Sequence, residues 1–220
     1  MVTRLTRRLK ERVKTRLRRA LGTPSVGDEP LAHVVVAAGT LDDWRGFDQG
    51  QWNRRLSDLI NAVEPEGVRW LTLVPVSNAS TEDIGGVSDS TSSTLLATID
   101  KALRAQRSRV QLIVRPEVDG RDRFARVVRQ LHETDQLRGV HATTSEEMLA
   151  KALLDPADVE ADLVVVIGPP DTLPTSLVWE LAYSEIVFLD IPWTEVSAEH
   201  IQMAVDDFRR RNRRFGGIDA

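Results

Sequence analysis

Apolar residues recur along this chain in two rhythms, and the alternation between them predicts the architecture. Val2, Leu5, Leu9, Val13, Leu17 and Leu21 are spaced three or four apart, which places them on one stripe of a helix. Thr23 to Pro30 breaks that rhythm with turn-forming residues and reads as a linker. His33–Ala38 is then continuously apolar after its histidine, the pattern of a strand covered on both faces. Trp52, Leu56, Leu59, Ile60 and Val63 return to helical spacing, and Val68–Val76 predicts the next strand. Residues 77–94 are rich in Ser, Thr, Asp and Gly and read as a long polar loop. Beyond it the pattern predicts a helix from Leu95 to Arg107, a strand over Val110–Val114 and a helix from Arg121 to His132. A short strand over Gly139–Ala142 and a helix from Ser145 to Leu154 follow. Asp162–Ile167 is the most hydrophobic strand and Ile186–Leu189 the last, before a long helix that ends in Arg209, Arg210, Arg211, Arg213 and Arg214. Strands alternating with helices imply an α/β domain with a central, mostly parallel sheet and helices on both faces. The expected organisation is a basic amphipathic helix over 1–22, a linker over 23–30 and one domain over 31–220.

Charge sharpens this picture. The chain of 220 residues carries a net charge of −4, but residues 1–22 hold nine Lys or Arg and a single acid, Glu11. The remainder has 20 basic and 32 acidic residues, a net of −12. An acidic body argues against non-specific nucleic-acid binding. The arm has two readings. Arg7, Arg8, Arg12 and Arg16 would face an anionic membrane surface, each basic residue contributing about 1 kcal/mol there; otherwise the apolar stripe packs on the domain or on a partner. Cysteine is absent, which removes disulfides and thiolate metal sites and suits a reducing compartment. No apolar run approaches the ~18 residues of a membrane span. A cytoplasmic protein held peripherally at a membrane is the expectation.

Chemistry on such a sheet belongs to the loops after the strands. Gly39 offers a weak phosphate cradle, because one glycine before a helix falls short of a P-loop. Asp42 and Asp43 suit helix capping better than metal binding. His33, His132, His141 and His200 have no metal-ligand or triad spacing. Trp179 and Tyr183, four apart, read as core. The terminal arginines match the negative end of a helix dipole, or form an anion site whose following glycines let the backbone approach closely.

Three stretches carry a resemblance to a known family. HVVVAAGTLDDW over 33–44, LTLVPVSNASTEDI over 71–84, and above all Asp162 to Trp193 with the terminal RRRNRRFGG resemble the cis-prenyltransferases, the undecaprenyl diphosphate synthase family. That family extends an allylic diphosphate with isopentenyl diphosphate, using magnesium. His33, Trp44, Asp162, Gly168, Leu177, Trp179, Tyr183, Glu185, Asp190 and Trp193 stand at family positions. The essential aspartate of the first loop, however, falls on Gly39, and the arginine before the tryptophan falls on Asp43. The two arginines that hold isopentenyl diphosphate become Val166 and Thr172. Glu185 survives at the position of a magnesium-linked glutamate. Arg214, Phe215 and Gly216 keep the motif that in the family reaches the partner's active site and contacts substrate phosphate, with Arg211 as a further phosphate contact.

The pattern of loss is similar to the Nogo-B receptor type, the non-catalytic subunit of heteromeric cis-prenyltransferases. The resemblance therefore implies an accessory subunit, a pseudoenzyme in a heterodimer or heterotetramer with a catalytic cis-prenyltransferase. It would have no catalytic residue of its own, and Mg2+ would sit only in the partner's site. Two alternatives stand beside it: a divergent active enzyme with Asp42 or Asp43 in place of the lost aspartate, and a binding or scaffold protein on the same fold.

Overall fold

The sheet is all parallel and runs β3-β2-β1-β4-β5 across its width. The computed structural model describes residues 31–76, 89–137, 145–170, 173–182 and 184–211. Its strands are β1 (His33–Ala38), β2 (Trp70–Val74), β3 (Gln111–Val114), β4 (Leu163–Ile167) and β5 (Glu185–Leu189). The helices among the described residues are α1 (Leu41–Gly46), α2 (Gln49–Val63), α3 (Asp89–Ala105), α4 (Gly120–Leu137), α5 (Glu146–Leu154) and α6 (Ala198–Arg210). The α/β fold with a parallel central sheet is the one expected from the sequence.

Parallel strands need covering on both faces, and the two central strands are buried throughout. Val34, Val36 and Ala38 of β1 share one face with Leu163, Val165 and Ile167 of β4. They pack against Trp52, Leu56 and Leu59 of α2, Ile99 and Ala102 of α3, and Ile201, Val205 and Phe208 of α6. Val35, Ala37, Val164 and Val166 point to the other face and meet Val74, Ala161 and Leu177. Near β3, Leu154 of α5 joins Ile113 and Ala157, with Trp70 and Trp179 against them. Each fully buried side chain of this size contributes about 1.5–3 kcal/mol, against about 0–1 kcal/mol for an exposed ion pair such as Arg104–Asp100. The sheet's centre, not its surface charge, therefore fixes the fold.

Several elements differ from the sequence pattern, for local reasons. β2 stops at Val74 because Pro75 has no N–H to continue the ladder. α3 begins at Asp89 rather than Leu95, so the polar stretch read as loop yields its last third to helix. The short helix α1 was hidden by its polar sequence; it forms because Thr40 and Asp43 cap each other reciprocally. After Trp179 the chain makes only a 3-10 turn, Glu180–Ala182. The strand expected over Gly139–Ala142 lies outside the described residues.

Two framework residues tie the amino-terminal ends of the strands. Asp162 Oδ2 accepts the backbone N–H groups of Ala32 at 2.8 Å and His33 at 3.0 Å, while its own N–H donates to His33 O and its carbonyl accepts from Glu185 N. One aspartate, through its carboxylate and its backbone, thus links β1, β4 and β5. The buried His33 ring lies 3.0 Å from Val159 O through Nδ1 and 2.9 Å from Thr72 Oγ1 through Nε2. A carbonyl only accepts, so Nδ1 carries the proton and Nε2 accepts from the hydroxyl. Burial is the main cause that holds this imidazole below its ordinary pKa, partly opposed by the bond to Val159. A depressed histidine pKa means that the unfolded chain binds the proton more readily. Its contribution to stability is present above about pH 6.5 and is lost as pH falls below that value. Denaturant midpoints measured from pH 8 to pH 5 should fall on the acid side of about 6.5 for the native chain, with a shallower fall for His33→Gln.

Candidate functional site

The strands' carboxyl-terminal ends are where such a sheet places its chemistry, and β1 leads there into Gly39. Its φ of 66° lies in the left-handed region, which favours glycine. A Cβ at this position would come within 2.5 Å of Trp193 Cδ1 and 2.8 Å of its Cγ. The glycine is therefore required twice, by its backbone and by an indole lying on it. Trp193 opens a 3-10 turn after Pro192 and is only 5% exposed. Phe47 stacks on it with ring centroids 5.8 Å apart and planes 8° from parallel. Trp52 meets Phe47 and Trp44 edge-on at 5.6 and 5.5 Å. Trp44 Nε1 donates to Ala38 O at 2.8 Å, and Trp52 Nε1 to Trp44 O at 3.3 Å. The end of β1 is thus closed by four aromatic rings whose polar edges are partly spent on the strand and α1.

Both aspartates beside it make contacts within residues 40–45. Asp43 Oδ2 accepts from Thr40 N at 2.7 Å and Thr40 Oγ1 at 2.9 Å, and Asp43 N donates to Thr40 Oγ1 at 3.1 Å. Asp42 pairs with Arg45 at 2.6 Å. The capping reading fits Asp43, whereas Asp42 is paired with Arg45. On β4, Val166 is buried opposite Ala37 on the sheet's second face, so no cation projects from that position. Glu185 begins β5 and is half-buried, its N–H bonded to Asp162 O. Among the described residues no three His, Asp or Glu side chains gather as a metal site would require. The residues at the end of β1 do not fit a magnesium-diphosphate complex, which needs a carboxylate and cations converging on one point. Arg211 follows α6 and is exposed. Arg214, Phe215 and Gly216, as well as Thr172, Tyr183, His141 and the arm residues Arg7, Arg8, Arg12 and Arg16, lie outside the described residues.

Two charged groups near the sheet were not singled out by the sequence. Arg55 of α2 sits with its guanidinium 4.7 Å from the Trp193 ring centroid and donates Nη2 to Thr194 O at 3.0 Å. Its Nε and Nη1 and the indole Nε1 of Trp193 are buried without a hydrogen-bond partner. Burial lowers its pKa, and Asp58 offsets part of that effect. The second group is Glu180, buried between Arg115 and Arg123 at 3.3 and 2.5 Å. No short motif marks either group, because each joins residues distant in sequence. The one available signal was an arginine at a helical position adjoining the apolar stripe of α2.

The closure makes a definite prediction about Gly39. Gly39→Ala should lower stability by about 1–3 kcal/mol, from the overpacked contact with Trp193 and the disfavoured φ. Gly39→Asp, which puts a carboxylate where the family resemblance expects one, should lower it at least as much and bring no magnesium-dependent gain. Urea denaturation of the three proteins reads both effects.

Comparison with known proteins agrees with this architecture. Residues 77–216 match the prenyltransferase family model described as undecaprenyl diphosphate synthase. Isoprenyl transferase 2 of Bradyrhizobium diazoefficiens is 27% identical over 90% of this chain and 94% of its own length. Isoprenyl transferase of Brucella abortus is 27% identical over 88% of this chain and 80% of its own. Lavandulyl diphosphate synthase from Lavandula x intermedia, solved in complex with dimethylallyl diphosphate, shares the fold with a TM-score of 0.61 at 15% identity, over 86% of this chain and 98% of that one. A structure described as a probable undecaprenyl diphosphate synthase from Campylobacter jejuni gives a TM-score of 0.58 at 16% identity, over 86% of this chain and 99% of that one. With its sheet order, its framework residues and a family match across residues 77–216, the chain belongs to the undecaprenyl diphosphate synthase family of cis-prenyltransferases.

Proposed function

We propose that this chain is the non-catalytic subunit of a heteromeric cis-prenyltransferase that makes a polyprenyl diphosphate. The observation that carries the reading is the indole of Trp193 lying on Gly39, at the position where the family resemblance puts the essential aspartate. A carboxylate there has no room, and buried Val166 replaces a diphosphate-binding arginine. Each missing charge-assisted contact is worth about 1.5–3 kcal/mol, so the chain's own site lacks much of the substrate-holding energy. Arg214, Phe215 and Gly216, with Arg211, would serve the partner's site instead, by contact with substrate phosphate there. Magnesium would belong to that partner site, and Glu185 would be a remnant of a former ligand.

The edge of the sheet supports a partner. β5 is an edge strand in the described sheet, with Phe188 exposed on it. Leu173 and Val178 of the segment before β5 are exposed as well. Large apolar side chains outside a core favour a protein partner, here the catalytic cis-prenyltransferase. The arm would hold the pair at an anionic membrane surface through Arg7, Arg8, Arg12 and Arg16, on the cytoplasmic side. No helix among the described residues is long and apolar enough to cross a membrane.

The relatives' names favour a second reading, a divergent active enzyme, because the two relatives described above are isoprenyl transferases. Asp42 is its remaining carboxylate, since an exposed pair with Arg45 is worth about 0–1 kcal/mol and is readily released.

Isopentenyl diphosphate incorporation separates the two. The purified chain alone should incorporate none, and addition of the catalytic partner should give turnover. Arg214→Ala should abolish that turnover at least tenfold while the pair still co-elutes. The assembled pair should sediment with anionic vesicles and be released by reversing Arg7, Arg8, Arg12 and Arg16 to Glu. Turnover by the lone chain that Asp42→Ala removes would replace the first reading with the second.

A further inference from the structure

The closure over Gly39 is assembled from three places in the chain. Phe47 follows α1, Arg55 stands on α2, and Trp193 opens the turn after β5. The Arg55 guanidinium lies 4.7 Å from the ring centroid of Trp193 and 6.0 Å from that of Phe47, and the two rings are 5.8 Å apart. Three such similar distances form a closed triangle. The cation therefore sits beside both rings at once and does not cap the outer face of the stack.

The indoles nearby are fixed in different ways. Trp44 of α1 donates its N–H to Ala38 O, and Trp52 of α2 donates its own to Trp44 O. Trp193 Nε1 is buried without an acceptor. No hydrogen bond of its own orients this indole, so its position over Gly39 is set by the groups stacked on it and by the backbone that carries it.

Arg55 acts on both. Its guanidinium meets the ring, and Nη2 donates at 3.0 Å to the carbonyl of Thr194, the residue directly after the indole. Nε and Nη1 have no acceptor, and Asp58 supports the cation through its charge. A buried arginine with two unpaired nitrogens is costly. What the burial secures is contact with two rings and one carbonyl, on the segments that have to meet over Gly39. Attraction between a cation and a ring face is stronger in such a desolvated place than at a surface.

We propose that Arg55 is a positioning residue that latches Trp193 over Gly39 and so keeps the carboxyl end of β1 shut. Phe47 supplies a flat surface for the indole. Arg55 supplies the ring contact and the bond that tie the turn after β5 to α2. The latch is independent of the prenyl-transfer reading, because stability and spectra report it without turnover.

Two measurements on the full-length protein test the proposal. Gly39→Ala overpacks the indole and strains the backbone, and only the first of these costs depends on where Trp193 lies. Arg55→Met keeps a long, flexible apolar side chain on α2 but removes the latch, which lets the indole give way. The fall in urea midpoint caused by Gly39→Ala should then be no more than half of its value in the native background. The second measurement is fluorine NMR of protein containing 5-fluorotryptophan, in which the resonance lost in Trp193→Phe identifies this indole. Its solvent isotope shift between H2O and D2O should grow at least twofold in Arg55→Met. The other four of the five tryptophans should keep theirs, whereas a general loosening would move them too. Arg55→Lys keeps the charge but loses the planar fork, and it decides the same comparisons if Arg55→Met does not fold. An equal Gly39→Ala penalty in both backgrounds, or an unchanged Trp193 isotope shift, overturns the proposal.

Discussion

The pairing of β1 with β4 is the constraint on which the structure rests. From Val34↔Leu163 to Ala38↔Ile167 the two strands run side by side, buried on both faces. Every side chain they carry is committed to packing, so neither strand can present chemistry along its length. Function is pushed to the strand ends. One end is closed by Asp162 and His33, which satisfy backbone and ring hydrogen bonds between elements. The other end is Gly39, and the indole on it makes that end apolar.

That closure gives the family resemblance a physical content. The chain retains residues that hold the fold: His33, Asp162 and Trp193 each contact a structural partner. What it lacks are charges. A site for a diphosphate and a divalent cation is an arrangement of full charges held at fixed distances. Here the same position holds stacked rings and a buried arginine. A buried cation is costly unless it is compensated, and Arg55 is compensated by ring faces, one carbonyl and the charge of Asp58. Its neighbourhood is therefore built for packing, with the charge as a stacked component.

Much of this was legible in the sequence because it rests on local patterns. The runs HVVVAA and LVVVI are continuous apolar stretches, and only strands covered on both faces tolerate them. Asp42 and Asp43 before a helix read as caps, and Asp43 forms the reciprocal cap with Thr40. That an uncharged residue stands at Gly39 and Val166, where the family resemblance expects an aspartate and an arginine, was visible in the sequence. The reason that Gly39 admits no side chain was not, because Trp193 lies 154 residues away in sequence. Arg115, Arg123 and Glu180 escaped for the same reason: a buried ion cluster has no periodicity, and its members are ordinary residues until the chain folds. α1 escaped because its polar residues gave no apolar stripe.

The proposed role requires that the end of β1 take no metal-bound diphosphate. Magnesium-dependent binding of an allylic diphosphate to the isolated chain measures this most directly, by calorimetry with and without the cation. With the end of β1 closed by Trp193, the two titrations should not differ. Saturable binding that requires magnesium and disappears in Asp42→Ala would contradict it.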